Sequence, residues 1–161
     1  IALYSGETLG VSQGVDKAWR GPARTLDRFV QAGFIRGLDT RARRRLGMAA
    51  QATDAGERRA LLRGVEGHAQ TILREKTRWG DALALLLRAG VAATRGERER
   101  ALSLLERAET GLAAADMALH AAVARSRRGE ADAWMAGQTI RNPERMRAML
   151  APGDWGDRRE A

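Results

Sequence analysis

The side chains that could support metal binding are few and widely spaced. His68 and His120 are the only histidines, and the chain contains no cysteine. Neither histidine has another histidine, a cysteine or a carboxylate pair at the short spacing that metal sites use. We therefore expect no metal site and no cofactor, and we interpret both histidines as packed or surface residues of helices.

The nucleophiles and carboxylates also fail to form a catalytic pattern. None of the four serines lies in the strand-turn-helix setting of a nucleophile elbow. Glu97, Glu99, Glu106 and Glu109 alternate with arginines, which is typical of local ion pairs on a polar helix face. Because no nucleophile, base and orienting group can be assembled, we expect no enzymatic activity within these residues.

Arginine is the charged residue best placed to bind a partner. The net charge is +8, and Lys17 and Lys76 are the only lysines among 28 basic residues. Clusters at Arg43–Arg45 and at Arg125, Arg127 and Arg128 could neutralise phosphates, so nucleic-acid binding through Arg-rich helix faces is the alternative function. However, GC-rich coding also produces such an arginine excess, and no aromatic residues interleave the clusters for base stacking. A solvated helix surface is the favoured interpretation.

The composition indicates one all-helical domain. The chain has 161 residues, of which 4% are aromatic and 30% are charged, and it has few runs of β-branched residues. No stretch approaches the roughly 20 apolar residues that span a bilayer. The sequence starts at Ile1, and we expect no signal peptide because no basic stretch followed by an apolar one is visible there. We expect a cytoplasmic fragment of a longer chain, with no membrane insertion.

Apolar residues recur at helical spacing in pairs of segments. Residues 81–93 are almost entirely apolar and predict a helix buried on several sides, whereas residues 97–115 predict an amphipathic helix. Gly96 supplies the turn between them. Gly6, Gly56 and Gly129 are the corresponding turn glycines elsewhere, and Thr53 or Asp54 is the expected N-cap of the helix that begins near Glu57. Repeated helical hairpins of this kind are typical of a solenoid.

These patterns divide the chain into five predicted parts. They are the end of a first hairpin at 1–20, a long hairpin at 22–75, the clearest hairpin at 79–115, a last hairpin at 116–138 and a capping helix at 142–151. The glycines of "GFIRG", Gly33 and Gly37, interrupt a long helix predicted at 23–50. Since glycine costs about 1 kcal/mol relative to alanine within a helix, a close helix crossing or a kink is expected there, with a hinge as the functional alternative.

The segment 85–108 resembles a tetratricopeptide repeat. Small residues lie at Ala89, Gly96, Ala101 and Ala108, where two helices approach closely, and Leu105 fills the groove between them. The resemblance implies a right-handed α-solenoid of antiparallel helical hairpins, with a short capping helix at its end.

A longer stretch resembles the C-terminal helical-repeat region of large multidomain bacterial Ser/Thr protein kinases. It comprises "WGDALALLLRAGVAATRGERERALSLLERAETGLAAADMALHAAVARSRRGE" followed by "ADAWMAGQTIRNPERMRAMLAPG". The resemblance implies a docking or sensory module preceded by a kinase domain, although no kinase motif occurs in this sequence. Family members carry additional residues between the equivalents of Glu130 and Ala131, so we expect a loop to be missing at that point.

In repeats of this type, the first helix of each hairpin lines the concave surface. The resemblance therefore implies an apolar groove with an arginine rim that binds a segment of a protein partner or of another domain of the same chain. The alternative, that the apolar residues only pack inside a tight superhelix, stays open. The candidate groove residues are Arg43, Leu46, Leu83, Leu86, Thr94, Leu119, Val123 and Arg127.

The end of the sequence, "IRNPERMRAMLAPGDW", predicts a short helix with clear boundaries. Asn142 is a good N-cap, Pro143 suits the first helical position, and "PG" at 152–153 ends the helix. Met146 and Met149 share one face of it. We interpret this face as the inner side of a capping helix; exposed methionines would instead indicate a partner surface.

Overall fold

The computed structural model describes residues 29–130 and 133–156. Within these ranges all regular structure is helical, which confirms the all-α class, and there is no strand. Seven helices are described: α1 Phe29–Gln51, α2 Ala55–Arg74, α3 Arg78–Thr94, α4 Arg98–Ala113, α5 Ala118–Arg127, α6 Ala133–Gly137 and α7 Pro143–Leu150.

The first four helices form two antiparallel pairs. At the open end of the first pair, the Gln31 side chain of α1 donates to the carbonyl of Glu75, which follows α2, at 3.1 Å. In the second pair, a Cβ on Gly111 of α4 would lie 2.9 Å from the Cβ of Ala82 near the start of α3. Gly111 therefore permits the close contact between α3 and α4 that an alanine would obstruct.

Helices α1 and α3 pack side by side and run in the same direction. Ile35, in the first half of α1, contacts Gly80 at the start of α3, and Leu46, near the end of α1, contacts Gly90 near the end of α3. Helix α2 packs on α3, and α4 packs on α5. As predicted, the segment 81–93 is buried on several sides, and Ala89, Ala101, Leu105 and Ala108 lie in the core.

Helix ends follow the expected capping rules, with one correction. Asp54, one of the two predicted N-caps, accepts a hydrogen bond from the Glu57 amide at 2.6 Å. Gly96 and Gly129 adopt the left-handed conformation predicted for turn glycines, with φ of 79° and 96°. Gly56 does not: it lies inside α2, because Asp54 already begins that helix. Gly6 lies outside the described residues.

The glycines of "GFIRG" do not interrupt the helix that contains them. Helix α1 runs unbroken through Gly33 and Gly37. A Cβ on Gly33 would have no heavy atom within 4 Å, so the prediction of a close helix crossing is wrong at this position. The long uninterrupted packing of α1 against α2 and α3 outweighs the weak helix propensity of glycine.

The last part of the chain contains short helices. Helix α5 begins at Ala118 rather than at Asp116, since Asp116 takes a positive φ of 57° in the preceding turn. Helix α6 has only 5 residues, although Met135 within it is fully buried. Ala131 lies outside the described residues, as does the predicted first hairpin at 1–20, so the expected loop after Glu130 stays a prediction.

Candidate functional site

The residues predicted to line a groove lie together on α1, α3 and α5, and most of them are covered. Leu46, Leu83, Leu86 and Val123 are at most 3% exposed, and Thr94 is 9% exposed. Arg43, Leu119 and Arg127 are half-buried. Four of the predicted apolar contacts therefore face the protein interior, as the packing alternative expects, and their role in protein binding stays a prediction.

The chain's own C-terminal segment, Pro143–Gly156, covers the carboxyl-terminal end of this face. Arg43 Nη1 donates to the Met149 carbonyl at 3.1 Å, and Arg127 Nε donates to the Ala151 carbonyl at 3.2 Å. The Asp154 amide donates to Thr94 Oγ1 at 3.1 Å. Three of the predicted groove residues thus bind main-chain atoms of the C-terminal segment, in the way that a groove binds an extended peptide.

Two glycines make this close approach possible. A Cβ on Gly90 of α3 would lie 2.7 Å from the Pro152 carbonyl oxygen, and it would also collide with the Leu46 side chain. Gly153 has a φ of 142°, a backbone angle that residues other than glycine rarely adopt. The C-terminal segment is therefore fitted sterically to α3, in addition to its hydrogen bonds.

Aromatic and arginine side chains complete the attachment of the C-terminal segment. Trp155 Nε1 donates to the Ala151 carbonyl at 3.0 Å, and the guanidinium of Arg127 lies 5.2 Å from the centre of the Trp155 ring, within cation–π range. Arg147 Nη1 donates to Ser126 Oγ at 2.9 Å. Sequence reasoning missed Trp155, although a tryptophan two residues after a Pro-Gly stop was a usable signal.

The boundaries and the inner face of α7 match the prediction. Asn142 Oδ1 accepts from the Arg145 amide at 2.9 Å, Pro143 occupies the first turn, and the helix ends at Leu150. Met146 and Met149 are half-buried and pack against the core. The condition for a methionine partner surface, exposure of both side chains, is therefore not met, and the role of α7 as the cap of a solenoid stays a prediction.

A cleft of about 880 Å³ remains open at the amino-terminal halves of α1, α3 and α5. Trp79, Leu83 and Met117 provide apolar surface, and Met149 and Leu150 of the C-terminal segment form its end wall. Polar and charged groups surround this surface: Arg36, Asp39, Thr40, Arg43, Arg78, Asp116 and His120.

Two ionisable groups in the cleft are perturbed by burial. Burial raises the pKa of the Asp39 carboxyl, although Arg43, whose Nε lies 2.9 Å from Asp39 Oδ2, and Arg36 oppose this shift. Burial, with smaller contributions from Arg43 and Arg36, lowers the pKa of His120 from 6.5 to about 4. His120 is therefore neutral at pH 7, and it adds hydrogen-bonding capacity but no charge.

The charge of the cleft differs between its two sides. Arg36 and Arg78 are exposed, and neither side chain has an ion pair or hydrogen bond within the residues that the structure describes. Arg43, in contrast, is engaged by Asp39 and by the Met149 carbonyl. Asp116 is exposed on the α5 side of the cleft. The side formed by α1 and α3 is thus positive, and the α5 side carries a negative charge.

A second cleft, of about 780 Å³, lies at the carboxyl-terminal ends of α3 and α5. Its arginines are largely satisfied by the protein itself. Arg95 lies 3.7 Å from Glu66, and Arg128 lies 2.9 Å from Glu109. Arg98 is exposed, but Glu144 and Asp154 also line this cleft. We therefore regard it as an ion-paired surface rather than a site for an anion.

The two arginine clusters are engaged in a similar way. Arg44 is 8% exposed, and the guanidinium of Arg45 lies against Gly64 of α2. Arg125 Nε pairs with Glu109 at 2.8 Å. The ion pair of Arg125 and the burial of Arg44 reduce the positive charge that a nucleic-acid interface would present to phosphates.

Metal-binding side chains are not grouped in the described part of the chain. Within it, no group of three or more histidine, cysteine, aspartate or glutamate side chains is placed to hold a metal ion. Glu97 pairs with Arg100 at 2.9 Å, in the local manner expected from the sequence. Trp134 is 36% exposed, whereas Trp79 packs against the core.

Comparison with protein-family models, with curated proteins and with solved structures finds no match for this chain. Among the described helices, none is long and apolar enough to cross a membrane.

Proposed function

We propose that this chain is a non-catalytic protein-interaction module that binds a segment of a partner on the face formed by α1, α3 and α5. The main support for this proposal is that Arg43, Thr94 and Arg127 bind main-chain atoms of the C-terminal segment on this face. A face that binds one peptide segment through main-chain hydrogen bonds has the chemistry to bind another beside it.

The finer architecture in this proposal is a right-handed solenoid of tetratricopeptide-like hairpins within a cytoplasmic bacterial signalling protein, downstream of a Ser/Thr kinase domain. The parallel packing of α1 and α3 and the small residues between α3 and α4 support the repeat arrangement. The kinase association rests on the sequence resemblance. Reading the coding sequence upstream of Ile1 tests it, because the proposal expects a kinase domain in the same reading frame.

Nucleic-acid binding is the weaker candidate. Its best evidence, the two arginine clusters, consists largely of side chains that are buried or paired with carboxylates and main-chain carbonyls. A phosphate-binding surface needs such groups to face solvent. Filter binding of single-stranded and duplex DNA and RNA at low salt tests this candidate, and affinity that falls steeply with salt would favour it over the protein-binding role.

Photo-crosslinking in cells tests the interaction role directly. A photoreactive amino acid replaces Met117 in the open cleft of the full-length protein, and a control variant carries it at Arg107, which is exposed on α4. The proposal expects a discrete protein adduct for position 117 that is absent for position 107. Identical adduct patterns for the two positions, or none for either, would contradict it.

A further inference from the structure

The open cleft, rather than the covered part of the face, has room for a partner. The C-terminal segment occupies the carboxyl-terminal end, where Leu150, Ala151 and Pro152 are buried and Gly90 and Gly153 are fitted to each other. Its displacement would expose this apolar surface and break several hydrogen bonds. The cleft of about 880 Å³ at the amino-terminal end requires no such rearrangement.

Building on the proposed function, we propose that this cleft binds an amphipathic protein segment with a fixed orientation, whose acidic end lies at Arg36 and Arg78 and whose apolar side chain lies on Trp79 and Met117. The end that approaches Asp116 is neutral or basic.

Charge complementarity defines the acidic end. Arg36 and Arg78 are exposed, line the same cleft and have no ion pair within the described residues. They belong to helices that are in contact at a similar level, because Ile35 packs on Gly80. A carboxylate placed between two unpaired guanidinium groups gains charge-assisted hydrogen bonds without breaking an existing pair.

The remaining charges of the cleft explain why the orientation is fixed. Asp39 is already paired with Arg43, and Arg43 is also held by the Met149 carbonyl, so neither residue offers an unpaired charge. His120 is neutral at pH 7. Asp116 is the exposed acidic group on the opposite side, and it repels an acidic residue of the ligand.

The apolar surface accounts for affinity. Trp79 and Met117 are half-buried, and Met149 lines the same cleft, so the cleft offers apolar contacts to a bulky side chain. Methionine side chains adapt their shape to such contacts, and tryptophan provides a large rigid surface. Together with the two arginines, this surface favours a peptide over a small inorganic anion.

A peptide-display selection tests the inference with the complete chain. A random twelve-residue library is selected against the wild-type protein, and the enriched peptides are synthesised with a fluorescent label. Fluorescence anisotropy then gives their Kd for the wild type, for Arg36→Glu/Arg78→Glu and for the control Arg63→Glu/Arg107→Glu. Arg63 and Arg107 are exposed on α2 and α4, away from the cleft. Both double variants replace two arginines by two glutamates, so they change the net charge equally.

We expect the enriched peptides to carry aspartate or glutamate on one side of an apolar residue. The cleft variant should weaken binding at least about tenfold, and the control should change it by less than about twofold. In the variant Asp116→Lys, peptides that are acidic at both ends should gain affinity. Methyl-labelled wild-type protein provides a second measurement, because peptide addition should shift the Met117 and Met149 signals.

The possible failures separate the inference from the proposed function. Peptides without acidic residues, equal binding by the cleft variant and the wild type, or methyl shifts confined to other methionines would overturn the inference while leaving peptide binding intact. A selection that enriches no peptide, together with no adduct at position 117, would overturn both.

Discussion

Gly90 of α3 and Gly153 of the C-terminal segment face each other so closely that a Cβ on Gly153 would lie 3.1 Å from the Gly90 carbonyl oxygen. This contact joins two parts of the chain that are far apart in sequence. It lies beside the hydrogen bond from the Asp154 amide to Thr94, one turn beyond Gly90 on α3.

The variant Gly90→Ala should therefore be destabilised. Its Cβ would lie 2.7 Å from the Pro152 carbonyl oxygen, so the C-terminal segment must shift, at a cost of about 1 to 3 kcal/mol in the free energy of unfolding. Urea denaturation followed by circular dichroism measures the change. Gly67→Ala is the matched control, because a Cβ on Gly67 of α2 meets no atom within 4 Å and should stabilise the helix by up to about 1 kcal/mol. Equal responses of the two variants would contradict the steric explanation.

Thr94 should contribute to the stability of the fold through the hydrogen bond that it accepts from the Asp154 amide. Its hydroxyl donates to the Gly90 carbonyl at 2.8 Å and accepts from the Asp154 amide at 3.1 Å. Thr94→Val removes the acceptor of that partly buried amide and should cost about 1 to 3 kcal/mol of stability. Thr110 makes only the intrahelical bond, to Glu106 at 3.1 Å, so Thr110→Val should change stability by less than about 0.5 kcal/mol. A smaller loss for Thr94→Val than for Thr110→Val would show that the Asp154 contact is unimportant.

Asp54 should stabilise the start of α2. Its carboxylate accepts from the Glu57 amide at 2.6 Å, so Asp54→Ala should lower the free energy of unfolding by about 1 kcal/mol and Asp54→Ser should restore most of it. Thr53→Ala tests the other N-cap that the sequence allows, and it should have little effect. Thermal unfolding of the three variants shows which residue is the N-cap of α2. A larger loss of stability for Thr53→Ala than for Asp54→Ala would assign the N-cap to Thr53.

Stability should decrease in mild acid because of His120. Its pKa in the folded protein is about 4, below the ordinary value of 6.5, so the unfolded chain takes up the proton first as the pH falls. The contribution of neutral His120 is complete above pH 6.5 and is lost progressively between pH 6.5 and about pH 4. The loss is on the order of 3 kcal/mol, because a pKa difference of one unit corresponds to about 1.4 kcal/mol.

The variant His120→Gln isolates this effect, since the raised pKa of Asp39 contributes with the opposite sign over its own acidic range. Urea titrations at pH 7, 5 and 4 should show a steeper loss of stability for the wild type than for the variant. Parallel pH profiles would mean that His120 is protonated as easily in the folded protein as in the unfolded chain.

Local features were the most predictable from sequence. The amphipathic pattern of α4, the N-cap at Asn142 and the left-handed Gly96 each depend on a few neighbouring residues. The prediction for Gly33 was wrong because the cost of glycine in helix propensity is smaller than the stabilisation that the packing of the long helix α1 provides. The repeat resemblance placed Arg43 and Arg127 in one candidate groove; both contact the C-terminal segment, and their role in partner binding stays a prediction.

The occupant of that face could not be predicted. Arg43 and Met149 are linked by a hydrogen bond across 106 residues, and no local pattern encodes such a contact. Glycines that fit together, such as Gly90 and Gly153, are indistinguishable in sequence from turn glycines. The open cleft was missed for the same reason, since its end wall, Met149 and Leu150, comes from the C-terminal segment.

The attachment of residues 149–155 to α1 and α3 also has a consequence for biosynthesis. Helices α1 to α4 make mostly short-range contacts and can pack as they leave the ribosome. The C-terminal segment, whose bonds to Arg43 and Thr94 span 106 and 60 residues, emerges after them. The ordering of this face is therefore completed only after the C-terminal segment has left the ribosome, and a transcript truncated before Asn142 yields a nascent product with an uncovered apolar surface for quality-control proteases.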